Sequence, residues 1–133
     1  MFIQNQIFSM TNNKYKILIA DDDNISVILL TNYLKNIPTE FFIARDGVEA
    51  IKIFEDNPDI DIILMDLKMP KLNGLQATKK IKSLNPKVKI IAETAFAMVD
   101  DEKKALDAGC DAYITKPINA EKLITIIKEM LNI

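Results

Sequence analysis

The sequence contains no histidine. That absence removes Ser-His-Asp chemistry, Cys-His chemistry and histidine metal sites together. One cysteine, Cys110, rules out an intramolecular disulfide and fits a reducing compartment. No apolar run approaches the roughly 20 residues that span a bilayer, so no membrane insertion by this chain is expected. The N-terminus lacks the basic and apolar regions of a signal peptide. There is no basic excess either. The net charge is −2 and the pI about 5.2, which argues against direct nucleic-acid binding. What remains for chemistry is carboxylates, lysine, hydroxyls and backbone.

The chain has 133 residues, enough for one domain, and 49 % are apolar against 27 % charged. Residues 1–13 are rich in Asn and Gln and read as a disordered leader or a linker. The domain is expected over 14–133. There the pattern alternates. Ile17–Ala20, Phe41–Ala44, Ile60–Met65, Val88–Ala92 and Ala112–Ile114 are short apolar runs of strand character. Helical stretches follow each. Asn24–Asn36 carries Val27, Leu30 and Leu34, with Ile37 continuing the stripe. Gly47–Glu55 carries Val48, Ile51 and Phe54. Gly74–Leu84 carries Leu75, Thr78, Ile81 and Leu84. Met98–Ala108 stops at Gly109, a C-cap residue, and Ala120–Leu131 carries Leu123, Ile126, Ile127 and Met130. Five βα units with continuous apolar strands predict a parallel sheet covered by helices on both faces. The fourth helix has the weakest stripe, Leu106 with Ala105 and Ala108, and should be the least anchored.

In such a sheet ligands bind beyond the carboxyl ends of the strands. The first strand ends in Asp21-Asp22-Asp23, the third in Asp66, the fourth in Thr94 and the fifth in Lys116. Two carboxylates about 5 Å apart repel by roughly 3 kcal/mol at an effective dielectric near 20. A hard divalent cation answers that repulsion, and Mg²⁺ commonly takes one or two carboxylates plus phosphate oxygens. Lys116 adds a positive charge and Thr94 a hydroxyl donor. The set suits an aspartate that attacks phosphorus.

Ile17-Leu18-Ile19-Ala20-Asp21-Asp22-Asp23, Leu64-Met65-Asp66-Leu67-Lys68-Met69-Pro70, Gly74, Ile90-Ile91-Ala92-Glu93-Thr94-Ala95, Ala108-Gly109 and Asp111-Ala112-Tyr113-Ile114-Thr115-Lys116-Pro117 occur in that order. Together they resemble the two-component response-regulator receiver domain, with some leaning toward receivers of hybrid sensor histidine kinases. The resemblance implies an α/β, flavodoxin-like (βα)5 three-layer sandwich with a parallel five-stranded sheet in the order 2-1-3-4-5. It implies phosphoacceptor Asp66, which would be phosphorylated and dephosphorylated by the domain's own catalysis rather than that of a conventional enzyme. It further implies Mg²⁺ (or Mn²⁺) on Asp21, Asp22, Asp66 and the Lys68 carbonyl, and phosphoryl contacts from Thr94 and Lys116. Tyr113 would be the aromatic switch, moving with Thr94, and the Lys116–Pro117 peptide would be cis. The implied partner is a sensor histidine kinase or a histidine phosphotransfer protein. A homodimer through the fourth helix, fifth strand and fifth helix is a further option. The implied location is the cytoplasm, or the cytoplasmic part of a membrane-anchored hybrid kinase.

Two other readings stay open on the residues alone. Asp21-Asp22-Asp23 satisfies the Asp-x-Asp pattern of haloacid-dehalogenase-like phosphatases, which would make Asp21 the nucleophile and Asp23 the acid. A pseudo-receiver that only binds partners is the other. Asp23 is expected to cap the following helix rather than ligate metal. Cys110 is read as a small buried residue, and Glu93 has no assigned role. Lys68 and Phe96, two residues after Asp66 and Thr94, depart from the commonest family pattern and would hinder water attack on an acyl phosphate.

Overall fold

The computed structural model describes residues 14–95 and 98–133; the expected leader over 1–13 and the expectation for Phe96 fall outside them. Five strands, β1 (Tyr15–Ala20), β2 (Thr39–Ala44), β3 (Ile62–Asp66), β4 (Lys89–Thr94) and β5 (Ala112–Thr115), alternate with five helices. These are α1 (Asn24–Tyr33), α2 (Gly47–Asp56), α3 (Gly74–Leu84), α4 (Asp101–Ala108) and α5 (Ala120–Leu131). The sheet order is β2-β1-β3-β4-β5 and every pairing is parallel. The order reverses between β1 and β3, and this switch point opens a crevice at their carboxyl ends.

Strand alternation divides the core in two. Leu18, Ala20, Ile63, Met65, Ile90 and Ala92 pack with Ala50, Phe54, Ala77, Ile81 and Ala105 of α2, α3 and α4. Ile17, Ile19, Ile62, Leu64, Ile91 and Ile114 pack with Val27, Leu30, Leu34, Leu123 and Ile127 on the α1 and α5 side. Both faces of the sheet are thus removed from water, which is why its strands read as unbroken apolar runs.

Three helical stripes differ from expectation. Val48 is 55 % exposed, because α2 meets the sheet through Gly47, Ala50 and Phe54. Leu84, at the last turn of α3, is exposed, and Gly74, Ala77, Thr78 and Ile81 carry the contact. Leu106 is 46 % exposed, so α4 is buried through Ala105 and Ala108. In each case small residues let the helix approach closely, and the bulkier neighbour is rotated outward.

The fourth helix is also shorter than the sequence suggests. It begins at Asp101, preceded by Asp100 in a left-handed conformation (φ 78°) whose side chain makes no cap hydrogen bond. By contrast Asp23, Asp46, Asn73 and Asn119 each accept a backbone N–H as N-caps of α1, α2, α3 and α5, and Asn73 with Gln76 forms a capping box. Eight residues, an uncapped start and two buried alanines leave α4 the least anchored helix. It ends where expected, at Gly109 with φ 115°, a conformation side chains disfavour.

The amino-terminal edge of the sheet is cross-tied. Lys82 Nζ donates to the Val88 carbonyl (2.6 Å) and to Asp111 Oδ2 (2.9 Å), and that same oxygen accepts Ile90 N–H at 2.8 Å. Asp61 Oδ2 accepts Lys16 N–H at 2.9 Å, while Asp61 N–H donates to the Lys16 carbonyl.

Candidate functional site: an acidic crevice at the carboxyl ends of the strands

β1 delivers Asp21 and Asp22, β3 ends on Asp66, and β4 ends on Thr94. One carboxylate oxygen from each of Asp21, Asp22 and Asp66 lies within 4.8 Å of the others. Asp21 is fully buried, Asp66 is 6 % exposed, and Asp22 faces solvent. The cluster is held by backbone. Asp21 Oδ1 accepts Asp23 N–H and Asp66 Oδ1 accepts Lys68 N–H, each at 2.9 Å. The loop carrying Asp66 is clamped by α3: a Cβ on Gly74 would run into the Asp66 carbonyl oxygen and come within 2.9 Å of Leu67 Cα. Glycine is required there for closeness rather than for an unusual φ.

The loop after β5 returns Lys116 to the same place. The Lys116–Pro117 peptide is cis, as expected. Lys116 Nζ donates to Asp21 Oδ2 (3.1 Å) and Asp66 Oδ2 (3.3 Å), and lies 3.9 Å from Glu93 Oε1. Burial pushes the Asp66 carboxyl up; the Lys68 N–H and Lys116 pull it down, Asp21 pushes it further up, and the balance is a raised value. Burial pulls the Lys116 ammonium down, but Asp66, Asp21 and Glu93 more than offset this and leave it raised. Lysine is therefore charged at neutral pH. One ammonium among the three clustered aspartates leaves an excess of negative charge.

Two oxygens at 4.8 Å repel by roughly 3.5 kcal/mol at an effective dielectric near 20. Oxygen donors, a solvent-facing member and uncompensated negative charge fit a hard divalent cation with several water ligands.

Thr94 lies on the α4 side of the sheet and lines a cleft of about 570 Å³ with Leu67, Lys68, Met69, Asn73, Leu75, Asp101 and Lys104. Tyr113 pairs in register with Ala92, two residues before Thr94, and packs half-buried on the same side. Its buried hydroxyl has no hydrogen-bond partner among the described residues. Burial, then Asp101 and Glu102 of α4, push the phenol up.

Asp23 is not part of the cluster. Its Oδ1 accepts Ile25 N–H and its Oδ2 accepts the Ser26 hydroxyl, the cap expected of it. It is thereby committed to α1 and poorly placed as the acid of an Asp-x-Asp phosphatase. Cys110 is buried against Thr78, and burial pushes its thiol up, in keeping with an inert core residue. Glu93 is the residue that sequence reasoning left unassigned. It is fully buried beneath the crevice, and its carboxyl is pushed well up by burial and then by Asp21. Its one legible signal was a charge inside an apolar strand.

Residues 17–128 match the family model for the response regulator receiver domain. The chain belongs to this family. Receiver domains are phosphoacceptor modules of two-component signalling, and the relatives agree. The polar-differentiation response regulator DivK of Brucella anthropi is 34 % identical over 117 residues, 86 % of this chain and 94 % of that protein. The hybrid signal transduction histidine kinase I of Dictyostelium discoideum is 36 % identical over 124 residues, 87 % of this chain but 7 % of that much longer protein. Among solved structures, the complex of the Saccharomyces cerevisiae histidine phosphotransfer protein Ypd1 with the receiver domain of Ssk1 gives a TM-score of 0.81 at 32 % identity, covering 88 % of each chain. The CheX–CheY–BeF3–Mg complex of Borrelia burgdorferi gives 0.82 at 26 % identity, covering 88 % of this receiver domain and 89 % of that chain. No helix among the described residues of the receiver domain is long and apolar enough to cross a membrane.

Proposed function

We propose that residues 14–133 form a phosphorylation-controlled switch in which Asp66 takes a phosphoryl group from a partner's phosphohistidine. The observation that carries this reading is the convergence of Asp21, Asp22, Asp66 and Lys116 from three strand ends on one crevice. An Asp66 carboxylate oxygen attacks phosphorus, the P–N bond to the donor histidine breaks, and an aspartyl phosphate forms. Lys68 N–H, held to Asp66 Oδ1, keeps one oxygen engaged and so orients the other. Asp21, Asp22, Asp66 and the Lys68 carbonyl would hold Mg²⁺ or Mn²⁺, which supplies positive charge to the transferring phosphoryl oxygens. Lys116 and the Thr94 hydroxyl supply the remaining contacts to those oxygens.

The donor's approach is suggested by α1. Ile25 (75 % exposed), Ile28 (67 %) and Leu29 (41 %) form an apolar face beside the crevice. A groove of about 180 Å³ lined by Leu29, Leu30, Lys116, Pro117 and Ile118 joins that face to the site lysine. A histidine kinase or histidine phosphotransfer protein covering this face would bring its histidine to Asp66, and the Ypd1–Ssk1 pairing supports the class of partner. The output would run through Thr94 and Tyr113 to the weakly held α4, so that the α4–β5–α5 surface engages a target or a second copy. Partners of this class support a cytoplasmic reading, with the domain alone or as part of a hybrid kinase.

The test is intact mass after incubation with acetyl phosphate, with and without Mg²⁺. The expected result is a Mg²⁺-dependent gain of one phosphoryl group that Asp66→Asn abolishes. A gain that survives Asp66→Asn but not Asp21→Asn would establish the phosphatase-type nucleophile instead. No gain from acetyl phosphate or from a phosphohistidine donor would make the domain a pseudo-receiver.

A further inference from the structure

Alternation along β4 turns Thr94 toward α4 and Glu93 toward the opposite side, where its strand neighbour Ile91 packs with Leu64, Ile114 and Leu123. An apolar residue would suit that environment. Instead a carboxyl group stands there fully buried, and neither oxygen has a hydrogen-bond partner among the described residues. A buried, unpartnered polar group costs free energy, and folding does not require this one. Its Oε1 lies 3.9 Å from Lys116 Nζ, with the Asp21 carboxyl also beside it. An ammonium carries three N–H donors and no acceptor. Asp21 and Asp66 take two of them at 3.1 and 3.3 Å, from β1 and β3. Glu93, on β4, stands just outside hydrogen-bond distance of the third. Asp21 and Asp66 also belong to the metal-competent cluster, and Glu93 does not.

We infer that Glu93 is a positioning residue for Lys116, the acceptor that keeps the ammonium seated in the crevice when the Asp21 and Asp66 oxygens turn to cation and phosphoryl group. The inference rests on the reading of Asp66 as phosphoacceptor. Lysine has a long, rotatable stem, and an ammonium that leaves the crevice finds water a short distance away. A buried acceptor below it holds it in place without competing for the cation. The chemical requirement is an oxygen at this depth, which glutamine also supplies and which leucine or methionine does not.

The experiment compares wild type, Glu93→Gln, Glu93→Leu and Glu93→Met. Two apolar variants guard against a packing fault in either one. The first readout is taken in EDTA and in saturating Mg²⁺: mass-spectrometric labelling of Lys116 by an amine-acylating reagent, alongside the ¹⁵N signal of its ammonium. With Mg²⁺ bound, when the Asp21 and Asp66 oxygens turn to the cation, both apolar variants should raise Lys116 labelling by about tenfold, the effect of losing a hydrogen bond to a charged group, while Glu93→Gln stays within about twofold of wild type. Both should also melt higher than wild type, because an unpartnered buried carboxyl has been removed. The second readout is phosphorylation by acetyl phosphate. The apolar variants should lower the maximal rate at saturating Mg²⁺, and Glu93→Gln should restore it. Unchanged Lys116 labelling in the apolar variants would overturn the inference. So would a loss in Glu93→Gln as large as theirs. If wild type takes no phosphate, the Asp66 reading fails, and the labelling still decides whether Glu93 seats Lys116.

Discussion

Lys116→Met is the sharpest perturbation of the crevice, because it keeps most of the side chain's bulk and deletes the charge. In the native arrangement Nζ lies 3.1 Å from Asp21 Oδ2 and 3.3 Å from Asp66 Oδ2. At an effective dielectric near 20 those contacts are each worth about 5 kcal/mol of direct attraction, most of which offsets the cost of taking the charges out of water. Breaking a buried pair by deleting one partner typically costs 3–5 kcal/mol. The Lys116 side chain keeps 19 % exposure and Asp66 can take up a proton, so the low end applies, about 3 kcal/mol. With an unfolding entropy of about 2.1 cal/mol/K per residue, that is a fall of about 12 °C in melting temperature. The assay is thermal and urea unfolding in EDTA and in Mg²⁺. The same two carboxylates belong to the cluster, so lysine competes with the cation. In the variant Mg²⁺ should bind about tenfold tighter and recover most of the lost stability. The pH dependence has a definite sign. Without lysine the Asp66 value rises further above the unfolded 3.8, so the native state holds its proton more tightly. Stability is then lost as pH rises through the window between the two values and regained on acidification, and the EDTA deficit should shrink as pH falls from neutral toward 3.8. Equal melting temperatures in EDTA, or unchanged Mg²⁺ affinity, would refute the reasoning.

Gly74→Ala should destabilise by about 2 kcal/mol and slow phosphorylation, since its methyl group has nowhere to go except into the backbone that carries Asp66; urea unfolding and the acetyl-phosphate rate check both. Asp46→Ala should cost about 1 kcal/mol by uncapping α2. The Glu49 N–H, then Lys71, hold the Asp46 carboxyl below its usual 3.8 against the effect of burial, so this contribution is complete above that value and disappears as pH falls through the lowered one; urea curves from pH 7 to pH 2 should converge for wild type and variant. Ile28→Glu, on the exposed face of α1, should leave folding and acetyl-phosphate labelling intact while slowing transfer from a phosphohistidine protein by tenfold or more, measured as rates for the two donors side by side.

Strand ends were legible because polar side chains break an apolar run: Asp21 and Asp66 each close one, and Thr94 and Lys116 each follow one within two residues. Helix faces were less so. The expected stripes hold at Phe54, Thr78, Ile81, Ala105 and Ala108 but fail at Val48, Leu84 and Leu106, large residues that a periodicity count favours, while Gly47, Ala50 and Ala77 make contacts that it passes over. Close approach rewards smallness, and no hydropathy pattern records it. Asp23 was placed correctly as a cap because Asx chemistry is local. Glu93 could not be placed, because its meaning lies in Lys116, 23 residues on, and appears once β4 and the loop after β5 are side by side.

The ties at the amino-terminal edge of the sheet give the molecule a fulcrum. Lys82 and Asp111 lock β4 to α3 and to the start of β5 at Val88 and Ile90, and Asp61 does the same for β1. From Ile90 to Thr94 the strand rises about 13 Å, at roughly 3.3 Å per residue, from a laced end to one crowded with like charges. An elastic sheet clamped at one end moves most at the other. Any rearrangement that neutralises the crevice is therefore expressed at its rim, in the loops, Thr94 and the start of α4, while the opposite edge stays as a fixed frame. The same lacing makes the two ends of the domain mechanically unequal: a load applied at the carboxyl-end loops has a lever arm, and one applied at Lys82 has none.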